Sequence, residues 1–261
     1  MSDPAGPPVL EAKEITKTFA GIMALSHVSL EVREHERVGL IGPNGAGKTT
    51  FFNCLLGLLE PDRGGVLLGG EDVSGLPVHE RARRGIGRTF QRIELFGGTS
   101  VRDHLLIAER VRRGDGGLLR DLLGRGRPRP DEIEACDEVL ALLGLAEVAE
   151  EPIEHLSLGQ ARLVEVGRAL MTRPRLLLLD EPSSGLDRRE TAQLATTLRT
   201  VQDEQGFAIL LVEHDVELVS AFTERSYVLD FGTLIAEGPT REVLDSPAVR
   251  RAYLGPGADE S

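Results

Sequence analysis

The chain has 261 residues, 41% of them hydrophobic, and its 30 basic and 42 acidic side chains give a formal charge of −12. That length and apolar share suit a domain with a sizeable core and exclude a disordered chain or a fibrous repeat. The acidic balance argues against a protein whose main work is gripping nucleic-acid backbones, so no nucleic-acid partner is expected.

The longest uncharged apolar stretch, Phe51 to Leu59, is about half of the ~20 residues that a spanning helix needs, so no membrane span is expected. The first ten residues carry an acid and no Lys or Arg ahead of an apolar run, which is not the pattern of a secretory signal. Cys54 and Cys136 lie far apart in no ligand-like spacing, so two reduced, packed thiols and a cytosolic location are expected.

In chain order, strands are expected from Leu10 to Thr16, Ser26 to Val32, Arg37 to Ile41, Gly65 to Leu68 and Gly85 to Phe90. Four more are expected from Leu176 to Asp180, Ala208 to Glu213, Ser226 to Asp230 and Leu234 to Glu237. Their alternation with helical patterns predicts an α/β fold. The stretches Leu176 to Leu179 and Ala208 to Val212 are apolar without alternation, as strands covered on both faces are, and are the candidates for the sheet centre.

Between Thr99 and Met171 the apolar spacing turns helical, as in Val101, Leu105 and Ala108, then Ile133, Val139, Leu142 and Leu143, then Leu163, Val166 and Leu170. This predicts a helical subdomain over about 99–171, inserted in a single domain spanning 8–254. Inside it, Gly114 to Pro130 is rich in Gly, Pro and Arg and predicts a loop around one short amphipathic turn. Asp131 to Glu154 carries nine acids and no Lys or Arg. Residues 255–261 are small and acidic and are expected to form a disordered tail.

After the strand from Arg37 to Ile41 comes Gly42-Pro43-Asn44-Gly45-Ala46-Gly47-Lys48-Thr49-Thr50, which fits G-x-x-x-x-G-K-[ST]. Gly42, Gly45 and Gly47 permit backbone conformations that turn N–H groups inward on an anion, and a helix starting near Gly47 adds its positive end. Lys48, one of three lysines in the chain, supplies a point charge for the β and γ phosphates, and the Thr49 hydroxyl is a Mg²⁺ ligand. The loop by itself leaves kinase, GTPase and ATPase open.

The run Leu176 to Pro182 is a buried strand ending in two carboxylates, and ligands bind at strand C-termini in α/β sheets. Asp180 is placed to hold Mg²⁺, and Glu181 to face the γ-phosphate and orient or deprotonate the attacking water. Two further expected strands run into polar residues, Gln91 and His214. Gln91 suits the metal or the water, and His214 suits the γ-phosphate and the base. A lone Gln or His at such a place is more often structural, and His27, His35, His79, His104 and His155 keep that reading.

The ordered set of the phosphate loop, Thr89-Phe90-Gln91, Leu156-Ser157-Leu158-Gly159-Gln160, LLLLDEP, Ser184-Gly185-Leu186-Asp187 and Glu213-His214-Asp215 resembles the motifs of ATP-binding cassette (ABC) ATPases. The resemblance runs from about Leu10 to Leu254. It implies a P-loop NTPase core with an antiparallel β subdomain and an inserted α-helical subdomain, ATP and Mg²⁺ as ligands, and hydrolysis of ATP. It also implies a head-to-tail dimer, a homodimer or a heterodimer with a second ABC ATPase subunit. Ser157, Gly159 and Gln160 of one copy would close over ATP on the other, and Asp187 would reach across. Phe19 resembles the aromatic that stacks on adenine, although a lone Phe also packs in cores. Leu158 departs from the common signature, which has Gly there.

A closer resemblance is to the ATPase subunits of branched-chain (hydrophobic) amino-acid importers. It is carried by Gly85 to Gln91 with Leu95-Phe96 after it, the insert near Gly114 to Pro130, Ser157 to Leu170, and the ending Ala236-Glu237-Gly238 to Gly255. Leu76 to Gly87 is also similar to the cassette of lipopolysaccharide export systems. The implied partners are membrane permease subunits docking near Ile93 to Thr99 and, indirectly, a solute-binding protein, on the cytoplasmic face of the cell membrane. A cassette acting on DNA or ribosomes and a vestigial, non-hydrolysing module are the competing classes. The first usually carries a coiled-coil insertion or a second cassette, and neither pattern is found. The second would have lost Glu181 or His214, and both are present.

Overall fold

The computed structural model describes residues 8–89, 96–113 and 128–254, and builds two sheets from them. Strands β1 (Leu10–Phe19), β2 (Ile22–Val32), β4 (Arg63–Leu68) and β5 (Glu71–Asp72) form an antiparallel sheet in the order β2-β1-β4-β5. The second sheet runs β10-β9-β3-β8-β7-β6, from β3 (Arg37–Ile41), β6 (Ile86–Arg88), β7 (Leu176–Asp180), β8 (Ala208–Val212), β9 (Arg225–Asp230) and β10 (Thr233–Pro239). Its five strands β9-β3-β8-β7-β6 are parallel, and β10 pairs antiparallel with β9.

The helices of the described residues are α1 (Lys48–Leu56), α2 (Val78–Arg83), α3 (Val101–Arg113), α4 (Pro130–Leu142), α5 (Leu158–Leu170), α6 (Arg188–Gln205), α7 (Val216–Phe222), α8 (Thr240–Asp245) and α9 (Pro247–Leu254). Among the described residues between β6 and β7, the other regular structure is two 3₁₀ turns and one isolated bridge, Ser100 to Pro152.

The parallel sheet separates two cores. Leu176, Leu178, Leu210 and Val212 face α1 and the antiparallel sheet, while Leu177, Leu179, Ile209 and Leu211 face the helices. Successive strand residues point to opposite faces, so a strand covered on both sides shows an unbroken apolar run. The sheet centre differs from the sequence expectation: β3 and β8 occupy it, and β7 lies one place outward. β3 gives a weaker signal because Arg37 opens it and Gly39 sits where an added Cβ would come 2.7 Å from the Ser226 hydroxyl.

Other boundaries move for local reasons. β1 and β2 extend to a tight turn at Ala20 and Gly21, both with positive φ, as a two-residue hairpin requires. The added residues include Phe19, Ile22 and Met23, which are exposed and so carry no alternating pattern. β5 is two exposed acidic residues and had no sequence signal at all. β8 stops at Val212, although the Glu213 amide still donates to Leu40 O. In α4 the buried stripe is Cys136, Val139, Leu140 and Leu143, and Ile133 is exposed. Both cysteines are buried free thiols. The Gly114 to Pro130 loop, except for its last three residues, and the 255–261 tail lie outside the described residues.

One buried cation fixes α1 at the end away from its phosphate loop. Arg81 of α2 is only 1% exposed, and its guanidinium donates to Cys54 O and Leu55 O (both 2.8 Å), Ser74 O (2.7 Å) and Leu76 O (3.0 Å). A helix C-terminus presents unpaired carbonyls and negative potential, so a cation there is favourable. Arg81→Met keeps much of the volume and strands those acceptors. We expect it to cost about 3 kcal/mol and to lower Tm by roughly 10 °C in a thermal melt.

Candidate active site

The phosphate loop follows β3 and closes on itself. An added Cβ at Gly42 would stand 2.1 Å from Leu229 O, so only glycine lets the chain leave the strand there. Gly47, at φ 103°, caps α1, and Lys48 is its first residue. The Lys48 Nζ donates to Gly42 O at 2.7 Å and Pro43 O at 3.1 Å, which holds the amine inside the loop. Asn44, Gly45 and Thr49 are exposed, Pro43 and Thr50 are half-buried, and Ala46 is buried. Burial lowers the Lys48 pKa, and Glu181, Asp180 and Glu213 oppose that by attraction.

Sheet register delivers the acids. Asp180 of β7 pairs with Val212 of β8, which also pairs with Leu40 of β3, so three strand ends stand level beside the loop. Glu181 follows Asp180 directly and His214 stands two residues after Val212, with Oε1 and Nδ1 3.7 Å apart. Glu181 takes φ 46°, a left-handed conformation that costs a non-glycine residue about 1–2 kcal/mol. Its amide donates to Val212 O at 2.9 Å.

Asp180 is buried, and its carboxyl is pushed up to about 6, first by burial, then by Glu181 and Glu213, against the pull of Lys48 and Arg88. Because the folded pKa lies above the unfolded one, Asp180 lowers stability progressively as pH rises from about 4 to about 6. Surplus negative charge of this kind suits a divalent cation. Among the described residues no group of three or more His, Cys, Asp or Glu could hold a metal by itself. A cation held here by Asp180 would complete its shell with water and phosphate oxygens, the mode of Mg²⁺ at one or two carboxylates.

The signature residues lie elsewhere. Ser157 caps α5: its Oγ accepts from the Gln160 amide at 3.2 Å, and Gln160 Oε1 accepts from the Ser157 amide at 2.9 Å. α5 packs against β6, α3, α4 and α6. Three strand spacings, about 14 Å, separate β6 from β3. α5, which Ser157 caps and which carries Gly159 and Gln160, is thus held on the β6 side of the sheet, three strands from the β3 that leads into Lys48. Leu158, the departure from the common signature, lies over Gly185, where a Cβ would come 2.9 Å from its Cδ2.

Asp187 caps α6 through the Glu190 amide at 2.8 Å, a structural duty that the sequence reading did not foresee. Phe19 is 44% exposed with the Lys17 ammonium 5.7 Å from its centroid, so its ring is not packed in the core. Gln91 and Phe90 lie outside the described residues. His104 is buried and structural: its Nε2 accepts from the Phe96 amide at 2.8 Å, and burial lowers its pKa. Glu213, to which the sequence assigns no role beyond a strand end and a motif position, is 0% exposed at the meeting of the strand ends.

A second concavity, of about 340 Å³, opens between α2, β6, α3 and α5, with Phe96, Ile107, Ala108, Val111 and Ala169 in its apolar wall. Among the described residues no helix is long and apolar enough to cross a membrane.

Residues 25–184 match the sequence pattern of the ABC transporter family, and residues 233–255 match that of the branched-chain amino acid ATP-binding cassette transporter family. The chain is 39% identical over 251 residues to the high-affinity branched-chain amino acid transport ATP-binding protein BraF of Pseudomonas aeruginosa, covering 95% of this chain and 98% of that protein. It is 34% identical over 247 residues to the lipopolysaccharide export system ATP-binding protein LptB of Haemophilus influenzae, covering 95% and 97%. Among solved structures it is similar to the ADP conformation of MJ1267, an ATP-binding cassette of an ABC transporter. That match has a TM-score of 0.85 and 30% identity, and covers 95% of this chain and 99% of that one.

Proposed function

The chain belongs to the ABC transporter family as an ATP-binding, ATP-hydrolysing subunit, and from that premise we propose that it energises the import of branched-chain or other hydrophobic amino acids across the cytoplasmic membrane. The observation that carries the chemistry is the level ending of β3, β7 and β8, which gathers Lys48, Asp180, Glu181 and His214 beside one phosphate loop. The higher identity to BraF and the match at residues 233–255 favour amino-acid import over lipopolysaccharide export.

In this reading the Gly42 to Thr50 amides and Lys48 hold the phosphates, and Phe19 receives the adenine. Glu181 takes a proton from the attacking water, and His214 steadies Glu181 and the γ-phosphate. Asp180, Thr49 and Gln91 would hold Mg²⁺, which supplies charge neutralisation to the phosphates. The placement of α5 on the β6 side of the sheet, away from β3, supports completion of the site by a second cassette, with the α5 N-terminus offering its dipole and amides to the γ-phosphate of the partner copy. The Ser157 hydroxyl is a transition-state contact in that arrangement. Ser157→Ala should therefore lower ATP turnover by about 10²-fold or more without weakening ATP binding to the isolated chain, and an unchanged turnover would count against closure by two copies.

The apolar groove beside Phe96 and Val111, both exposed, supports docking of a permease segment, which would keep the chain on the cytoplasmic face of the membrane. The 99–171 block would then move as a helical subdomain between permease and nucleotide. Uptake tests the substrate: cells lacking this chain should lose energised uptake of labelled leucine, isoleucine and valine, and regain it with the wild-type chain but not with Glu181→Gln. Full uptake without the chain would remove the amino-acid assignment.

A further inference from the structure

We infer that Glu213 is a positioning residue that locks Glu181 and His214 into one catalytic unit. The inference rests on the proposal that these two residues act on ATP. Glu213 is wholly buried, and its two oxygens divide four donors between two loops. Oε1 accepts from the Ser183 amide at 3.0 Å and the Ser183 hydroxyl at 2.6 Å. Oε2 accepts from the His214 amide at 3.1 Å and, at 3.4 Å, from the Asp215 amide. All four are N–H or O–H donors, so only a group with acceptors on both sides satisfies them, and a carboxylate is such a group.

The loop after β7 is where strain is stored. Glu181 sits at φ 46° two residues before Ser183, and such a conformation persists only where its surroundings over-determine it. The bonds that hold that loop include Glu181 N to Val212 O, Ser184 N to Glu181 O, Leu186 N to Ser183 O, and the Ser183 pair to Glu213. The same carboxylate sets the backbone of His214, whose Nδ1 stands 3.7 Å from both Glu181 and Glu213. A base and its neighbour carried by separate strands thus share one anchor. A displacement of about 1 Å in such a pair can cost about 10²-fold in rate.

Glu213→Gln is the direct test. The amide keeps one oxygen for Ser183 but turns its NH₂ toward the His214 and Asp215 amides, donor against donor. We expect kcat for ATP to fall at least about tenfold with KM within about twofold, while Glu213→Asp recovers part of the rate. In a His214→Ala background, Glu213→Gln should cost little more, because residues that act through one another are non-additive. An unchanged kcat, or an equal further loss in the His214→Ala background, would overturn the inference. Should Glu213→Gln fail to fold, Ser183→Ala tests the other arm, with a smaller fall in kcat at constant KM and little further loss in a Glu181→Gln background; full activity there would overturn it. If Glu181→Gln and His214→Ala themselves leave turnover intact, the hydrolysis reading fails first, and the two failures are distinguishable.

Discussion

Glu181→Gln is expected to lower steady-state ATP turnover by about 10²-fold to 10⁴-fold, the range for removing a general base. It should leave ATP affinity close to that of the wild type. The two halves of that expectation come from different atoms. Binding draws on the amides of the Gly42 to Thr50 loop and on Lys48, whose amine is fixed by Gly42 O and Pro43 O and not by Glu181. Glutamine is isosteric and keeps the backbone bond from residue 181 to Val212 O, so the loop should hold its shape. It also removes one negative charge from the group that raises the Asp180 pKa, which favours rather than hinders an anionic nucleotide. With binding intact and chemistry stopped, two copies closed over ATP should accumulate, and size-exclusion chromatography in ATP and Mg²⁺ should show a dimer that ADP does not support. A variant turning over ATP at near the wild-type rate would remove Glu181 as the base.

What the sequence disclosed and what it hid follow from the range of the interactions involved. The phosphate loop is legible because most of its constraints are local: Gly45 and Gly47 take positive φ, and Lys48 Nζ donates to Gly42 O and Pro43 O within the same turn. β7 and β8 are legible because burial on both faces leaves them apolar throughout, up to Asp180 at the end of β7. The β1–β2 hairpin tip is not, since Phe19, Ile22 and Met23 are exposed and follow no pattern.

Glu213 was hidden for the opposite reason. Its bonds to Ser183 span 30 residues and exist only because β7 and β8 pair in the register that sets Asp180 against Val212. A one-residue slip of that register would turn the side chains to the other face, and no local motif records it. Asp187 and Gln160 show a third case. Their motif positions suggested partners in another chain, whereas the structure shows each also capping a helix of its own, so substitution at either would mix folding with function.

The second large effect is expected from Lys48→Ala, which should reduce ATP affinity by at least about 10²-fold, equivalent to about 2.7 kcal/mol. Lys48 is the cation that the structure sets inside the phosphate loop, buried among acids: Asp180, Glu181 and Glu213 all act on it by attraction, and it in turn holds the Asp180 carboxyl down. Alanine removes that charge and leaves the carboxylates facing the incoming phosphates uncompensated. The loop amides and the dipole of α1 remain, so residual binding should be weak and should depend more steeply on Mg²⁺ than in the wild type. Removing the amine also frees Gly42 O and Pro43 O, but the shape of the turn is set by Gly42 against Leu229 O, so the fold should persist. Titration of a fluorescent ATP analogue alongside a thermal melt separates the two effects. Lost affinity with a preserved melt is the expected result, and undiminished affinity would overturn the assignment of the loop.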